Sequence, residues 1–408
     1  MKLRVYLMLL SFLGTTPLSA SAQQECSQIN SEKSLIQCVL LNAPALQDAK
    51  LLVEEQERGI DAQSQPINPR LEVAGDVIGG DNKSLEVGYY HTFEMGGKRT
   101  SRKNFAASRV SIVNAQLKQI QHRLVMDTKL DLLRLRQIQT EMNILAETIH
   151  SFDELVSRFK QASGLSPEQK ASVTAFTLAR RETAIHQKTL FNEQRKLLGL
   201  LELRAGKKIP NIESILSPHI STWPKLKSDP IDDPSIKVAQ AEIVSAQASV
   251  QVQNSLSSAD LEVGPKITIE NGPTGQTTRL GFGLSLPLPI YHSNQGGTAQ
   301  AEASKGRIIA QLERLKNRLK QEFERNVEIY QSAVETFKTF DQEKDIEQRH
   351  KELHSFIKRG VVEAAIVIEV HRQILAFQGQ LHQLEQEGNT AYWKVLSLQG
   401  KILNKEIK

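Results

Sequence analysis

The chain repeats its own layout, and a repeat dictates architecture before any single residue does. Asn42-Ala43-Pro44-Ala45-Leu46 is echoed by Asp233-Pro234-Ser235-Ile236, and Leu71-Glu72-Val73 by Leu261-Glu262-Val263, both pairs 190 residues apart. Farther on, Gly96-Gly97 returns as Gly296-Gly297, Gly164-Leu165 as Gly360-Val361, and Leu200 as Leu396, at offsets of 200, 196 and 196. The order never changes, so small insertions have only shifted the register of one duplicated unit. Each copy reads as a short helix, a β-hairpin, a very long helix, a tight break and a second long helix. The predicted division is a leader over 1–22, a first repeat over 23–205, a connector over 206–234, a second repeat over 235–402 and a tail over 403–408. The connector carries Pro210, Pro218, Pro224 and Pro230, a composition that excludes a continuous helix.

The leader reads as a signal peptide. Lys2 and Arg4 precede an apolar stretch from Val5 to Leu13, and Ala20-Ser21-Ala22 offers a small-x-small cleavage site before Gln23. Cys26 lies too far past that site to be a lipidated first residue. The mature chain is therefore expected outside the cytoplasm, where an oxidising compartment permits a bridge between its two cysteines, Cys26 and Cys38. Two free thiols are the alternative.

Past the leader, the uncharged apolar-rich run from Ser34 to Gln47 has 14 residues, too few for a spanning helix. A membrane crossing must therefore use strands, and four segments have the right alternation. Leu71, Val73, Gly75 and Val77 alternate with Arg70, Glu72, Ala74 and Asp76; Leu85, Val87, Tyr89 and Phe93 with Glu86, Gly88, Thr92 and Glu94. Leu261, Val263, Ile267 and Ile269 alternate with Glu262, Lys266, Thr268 and Glu270. In the fourth segment Leu280, Phe282, Leu284, Leu286 and Leu288 face away from Arg279, Gly281, Gly283 and Ser285, with Pro287 and Pro289 ending it. Gly79-Gly80-Asp81-Asn82 and Asn271-Gly272-Pro273-Thr274-Gly275 supply the turns. A soluble amphipathic sheet is the other reading, but the rest of the chain offers no layer to cover a second face. Four strands cannot close a barrel alone, so the membrane reading requires an oligomer.

From Lys98 to Ser163 there is neither proline nor glycine, which allows a helix of roughly 100 Å at about 1.5 Å per residue. Its counterpart runs from Thr298 to Arg359. Apolar residues at Val110, Val113, Leu117, Ile120 and Leu124, and from Leu312 through Leu319, Tyr330 and Phe337, make one narrow seam on otherwise polar helices. Aromatics are only 5% of the chain, which suits such seams and not a thick core. Gly164 and Gly360 end the outgoing helices, and Ser166-Pro167-Glu168 starts a returning one. The fold class expected is mainly α with a small β part.

A net charge of +5 is interspersed, without a basic stripe carrying aromatics, so nucleic acid is not an expected partner. No Gly-rich phosphate loop, nucleophile elbow or paired-cysteine metal motif is present, and neither an enzyme nor a cofactor is expected. His350 and His354 stand one turn apart, but Glu352 does not directly follow the first, as it does in zinc proteases. On a polar helix such histidines are ordinarily solvated surface. A sharper expectation is that folding about Gly360-Val361 brings His350 opposite His371, with His354 nearby, as three imidazoles for a divalent cation.

Together these residues resemble the TolC-like outer-membrane efflux factors over the whole mature chain. The likeness rests on the Pro44 helix leading into Asn68-Pro69-Arg70-Leu71, on Leu284-Ser285-Leu286-Pro287-Leu288-Pro289-Ile290, and on the glycine tips. Glu94-Met95-Gly96-Gly97-Lys98-Arg99 is similar to a segment of the cobalt–zinc–cadmium (CzcC-like) branch. The resemblance implies a homotrimer with a twelve-stranded β-barrel in outer-membrane lipid of a Gram-negative bacterium, continued by an α-helical tunnel in the periplasm. It implies docking of the tips, Gly164, Leu165, Ser166, Gly360 and Val361, to a periplasmic membrane-fusion adaptor, with an inner-membrane proton-driven transporter of the RND type beyond it. It places the periplasmic gate just past the second tip, where Glu363 and Glu369 are the candidate charged residues. Heavy-metal cations are the cargo this branch implies; drugs or a secreted polypeptide are the alternatives. A periplasmic coiled-coil adaptor is the other protein class, but it would show one hairpin and a compact β domain.

Overall fold

The computed structural model describes residues 26, 28–78, 82–161, 164–216, 223–227, 229–272, 275–340, 352, 355–356 and 363–403. The leader, the second glycine tip, His350 and His354 lie outside them. In chain order the elements are α1 (Glu32–Asn42), α2 (Pro44–Ser64), β1 (Arg70–Ile78), β2 (Asn82–Phe93), α3 (Lys98–Gln161) and α4 (Pro167–Ala205). There follow α5 (Pro234–Ser255), β3 (Leu261–Gly272), β4 (Gly275–Ser285), α6 (Gln295–Phe340) and α7 (Ala364–Leu398).

The duplicated starts are visible in the caps. α2 and α5 both open with proline at the first helical position, where its missing N–H costs nothing. Asp233 caps α5 by accepting from Ser235 N at 2.8 Å. The four strands form one antiparallel sheet in the order β1-β2-β3-β4, so its central pairing, β2 with β3, joins the two repeats. Alternation alone carries the fourth strand to Leu288; it stops at Ser285 because Pro287 has no N–H for the ladder.

Each hairpin leaves the sheet through an elbow. In the first, Gly96 has φ +67°, and a Cβ there would also lie 2.4 Å from Ser258 Oγ, so only glycine fits. Around it Lys98 Nζ meets Asp260 Oδ1 at 2.7 Å, and Arg102 forms a forked pair with Glu94, the longer arm 3.1 Å. In the second elbow Asn294 takes the left-handed conformation at φ 58° and donates to Gln253 O at 2.8 Å.

The helices are long, 64 residues in α3 and 46 in α6, and no thick core gathers them. Burial comes instead as separate clusters along the seams. Near the N-terminus, Cys26 and Cys38 are joined in a disulfide, and α1 packs Leu35, Cys38 and Val39 against Leu132, Leu135 and Leu201. The connector straps the base of the second hairpin. Trp223 stacks edge-on to Tyr330 and Phe337 over Gly388, where a Cβ would lie 2.7 Å from the indole. Tyr330 donates its hydroxyl to Pro224 O, and Gln399 Nε2 donates to Lys227 O at 2.8 Å. Nearer the tips, Phe152, Phe176, Ala179 and Val367 close the seam between the hairpins.

Candidate functional site

The sheet has two unlike faces, and among the described residues no other element covers either. Register places Leu71 opposite Tyr89, Val87 opposite Ile267, and Ile267 opposite Leu280, so one face is apolar across all four strands. Its side chains stand in the open: Leu280 is 83% exposed, Phe282 80% and Leu284 71%. The opposite face carries the charges, and they pair with one another along and across the strands. Arg70 reaches Glu262 at 2.8 Å and Glu72 at 3.3 Å, Lys266 reaches Glu86 at 3.1 Å, and Arg279 reaches Glu270 at 3.1 Å. β1 and β4 are the two edges, and within the described chain neither has an outer partner. An apolar face, a polar face whose charges pair with one another and two open edges make a sheet that the described chain leaves unfinished.

The first tip is described from Gly164. That residue has φ +87° with no atom within 4 Å of a Cβ position, so the turn needs glycine for its backbone, not for space. Ser166 then caps α4 in a reciprocal box: its hydroxyl accepts from Gln169 N at 3.3 Å, and its own N–H donates to Gln169 Oε1 at 2.9 Å. Glu168, just inside, accepts from the same hydroxyl at 2.7 Å, which holds its carboxyl below the usual range. Leu165 lies half-buried between the glycine and the cap.

Past the second tip, Glu363 is the cap residue of α7 and makes no capping bond with its side chain. Glu369 is half-buried and engaged on its own helix, with Arg372 Nη2 and Gln373 Nε2 each 2.7 Å from its carboxylate. The side-chain bond from Gln373, then Arg372, keeps its carboxyl below the ordinary value. His371 is buried in the inter-hairpin seam. Its ring lies 5.3 Å from that of Phe152, and Nδ1 donates to Val367 O at 2.8 Å. Among the described residues no group of three His, Cys, Asp or Glu side chains is placed to hold a metal ion.

A polar lattice farther along the seam has no counterpart in the sequence reading. Arg134 grips Glu193 of α4 at 2.8 and 3.0 Å and Glu141 of its own helix at 2.9 Å. Glu141 meets His382 Nδ1 of α7 at 2.7 Å. One turn on, Arg136 and Gln137 both bind Glu385, the amide donating to Oε2 at 2.8 Å. On α7 these residues look like any solvated polar run, and only the register of α3 against α7 reveals them as buried.

No helix among the described residues is long and apolar enough to cross a membrane. No protein-family model matches the chain, and no curated protein does. Solved structures do. CusC, studied for folding and transmembrane channel formation, is similar with a TM-score of 0.69 at 14% identity, over 91% of this chain and 92% of that one. The CmeC outer membrane channel of Campylobacter jejuni gives 0.69 at 10%, over 92% and 89%. The outer-membrane channel OprN gives 0.68 at 16%, over 93% and 95%. At these identities the likeness is one of fold, shared over nine-tenths of the chain with these channel structures.

Proposed function

We propose that this chain is the outer-membrane channel of a tripartite, proton-driven efflux pump. The observation that carries the reading is the bare sheet, with an apolar face wholly open to its surroundings and a polar face whose charges are already paired. In lipid the apolar face is satisfied and the two edges are not, because every unpaired N–H and C=O in hydrocarbon costs several kcal/mol, on the order of the transfer penalty for an amide. Joining β4 of one copy to β1 of the next removes the edges, and three copies close twelve strands. The long hairpins then continue the barrel as a periplasmic tube, their tips at Gly164-Leu165-Ser166 and Gly360-Val361 meeting an adaptor that leads to an inner-membrane transporter.

Heavy-metal cations are the proposed cargo. Support comes from the likeness of Glu94 to Arg99 to the CzcC-like branch and from the carboxylates Glu363 and Glu369 beyond the second tip. Cross-linking of the detergent-extracted protein should stop at three times the protomer mass; a protein that stays a monomer in mild detergent sinks the barrel. A deletion strain challenged with zinc, cobalt, cadmium, copper and a drug panel separates the cargo classes.

A further inference from the structure

On the polar face of the sheet, Tyr90 lies down. Side chains on a strand ordinarily stand out from the sheet, yet Tyr90 is only 9% exposed on a face that no described element outside the sheet covers. Its ring rests on a floor without side chains, made by Gly88 of its own strand and Gly283 of β4. A Cβ at Gly88 would come within 2.6 Å of Tyr90 Cε2, and one at Gly283 within 2.5 Å of Cε1. Above the ring sits the Arg70 guanidinium, 5.6 Å from its centroid and pinned by Glu262 and Glu72. The arrangement is a stack of glycine, phenol ring, guanidinium and carboxylates. Glycine weakens a strand interior, and an aromatic ring laid over it recovers burial there. Gly264 of β3 differs, since its Cβ would strike Tyr89 O at 1.9 Å. That glycine serves the approach of two backbones and is independent of the ring.

We propose that Tyr90 sets the bore of the channel at the level of Gly88 and Gly283, the glycine floor and Arg70 holding it flat so that the lumen stays wide there. The inference rests on the reading of the polar face as the lumen. Raised by a methyl group beneath it, the ring has only the lumen to move into, and the trimer raises three.

Planar-bilayer conductance, with graded poly(ethylene glycol) as the size probe, tests this. Gly283→Ala and Gly88→Ala should each lose single-channel conductance and lower the size of the largest polymer admitted. Adding Tyr90→Ala to Gly283→Ala should restore both. Tyr90→Trp, which leaves the glycines alone, should narrow the channel by itself. Gly264→Ala should fail to assemble with or without Tyr90→Ala, because its clash is with backbone. Unchanged conductance in both glycine variants, or a loss that Tyr90→Ala does not restore, overturns the proposal. The lumen reading has its own control in Ser285→Cys, which a charged thiol reagent should block. If Ser285→Cys is insensitive, the polar face is not the lumen; if it is blocked while the glycine variants conduct normally, only the role of Tyr90 falls.

Discussion

Glu141 of α3 and His382 of α7 meet across the seam between the two hairpins, Oε1 to Nδ1 at 2.7 Å. With Arg134, Arg136, Gln137, Glu193 and Glu385 they tie three helices together beside the apolar cluster of Ile138, Leu145 and Leu190. The side chain of Glu385 is almost wholly buried and holds both Arg136 and Gln137. Removing one partner of a buried pair strands the other charge, at a cost of about 3–5 kcal/mol. Glu385→Ala should therefore lower the denaturation midpoint of the solubilised protein clearly. Glu54→Ala, which breaks an exposed pair with Arg58, should leave it unchanged. Equal midpoints for the two variants would show that the lattice stabilises nothing.

Acid should loosen the same seam, and the direction can be worked out from Glu141. Burial pushes its carboxyl up, but the bond from His382 and the charge and bond of Arg134 pull it down further, so it ends below its ordinary value. The unfolded chain then takes up this proton at a higher pH than the folded chain does. The stabilisation is complete above the ordinary carboxylate range and is lost as pH falls through that range toward the lower folded value. Between about pH 5 and pH 3, stability of the wild type should fall more steeply than that of Glu141→Gln. Parallel profiles would remove Glu141 from the account.

Alternate residues of β4 give the most direct measure of which face meets lipid. Leu284 points to the apolar face and Ser285 to the polar one, opposite Val263 and Glu262 respectively. Leu284→Arg should cost roughly 2–4 kcal/mol if it lies near the bilayer midplane, and Ser285→Arg much less. Refolding into lipid vesicles from urea reads both. Equal costs at the two positions would contradict the membrane wall.

Period-two alternation and the turn residues made the strands legible, and the absence of interior proline made the long helices so, because these are local effects of backbone geometry. The repeat made the order legible as well. What escaped depends on contacts between distant segments. Gly88 and Gly283 read as small inward residues, but nothing local says that Tyr90 lies across them. His382 and Glu385 read as surface because their helix is polar on most sides, and only its docking on α3 buries them. The fourth strand was overrun by three residues because Leu286 and Leu288 keep the alternation after Pro287 has ended the ladder. His371 shows the limit most plainly. The sequence sets it opposite His350 as one of three imidazoles, and nothing local shows that its ring packs against Phe152, nine residues before the end of α3.

The two carboxylates proposed for a gate, Glu363 and Glu369, can be told apart by their surroundings. Glu363 and Glu369 are six residues apart, about 600° of helical rotation, and so lie roughly 120° from each other around α7. Glu369 already spends its charge locally, on Arg372 and Gln373 at 2.7 Å each. A carboxylate neutralised by its own neighbour contributes little to the field along a pore, because the pair presents a dipole to a passing ion where a lone carboxylate presents a charge. Glu363 stands at the cap of α7 without bonding the helix it begins. Near a threefold axis, three such carboxylates would form a ring that favours cations, as rings of acidic side chains do in channels. Glu363→Gln should therefore lower the cation-to-anion permeability ratio and weaken block by multivalent cations, while Glu369→Gln should change either only slightly. Arg372→Ala is the informative third variant: by freeing Glu369 it should raise cation selectivity above the wild type. Reversal potentials in asymmetric salt measure all three. If Glu363→Gln leaves the reversal potential where it was and Arg372→Ala shifts nothing, neither carboxylate faces the ion path, and the constriction is set by the apolar residues around them.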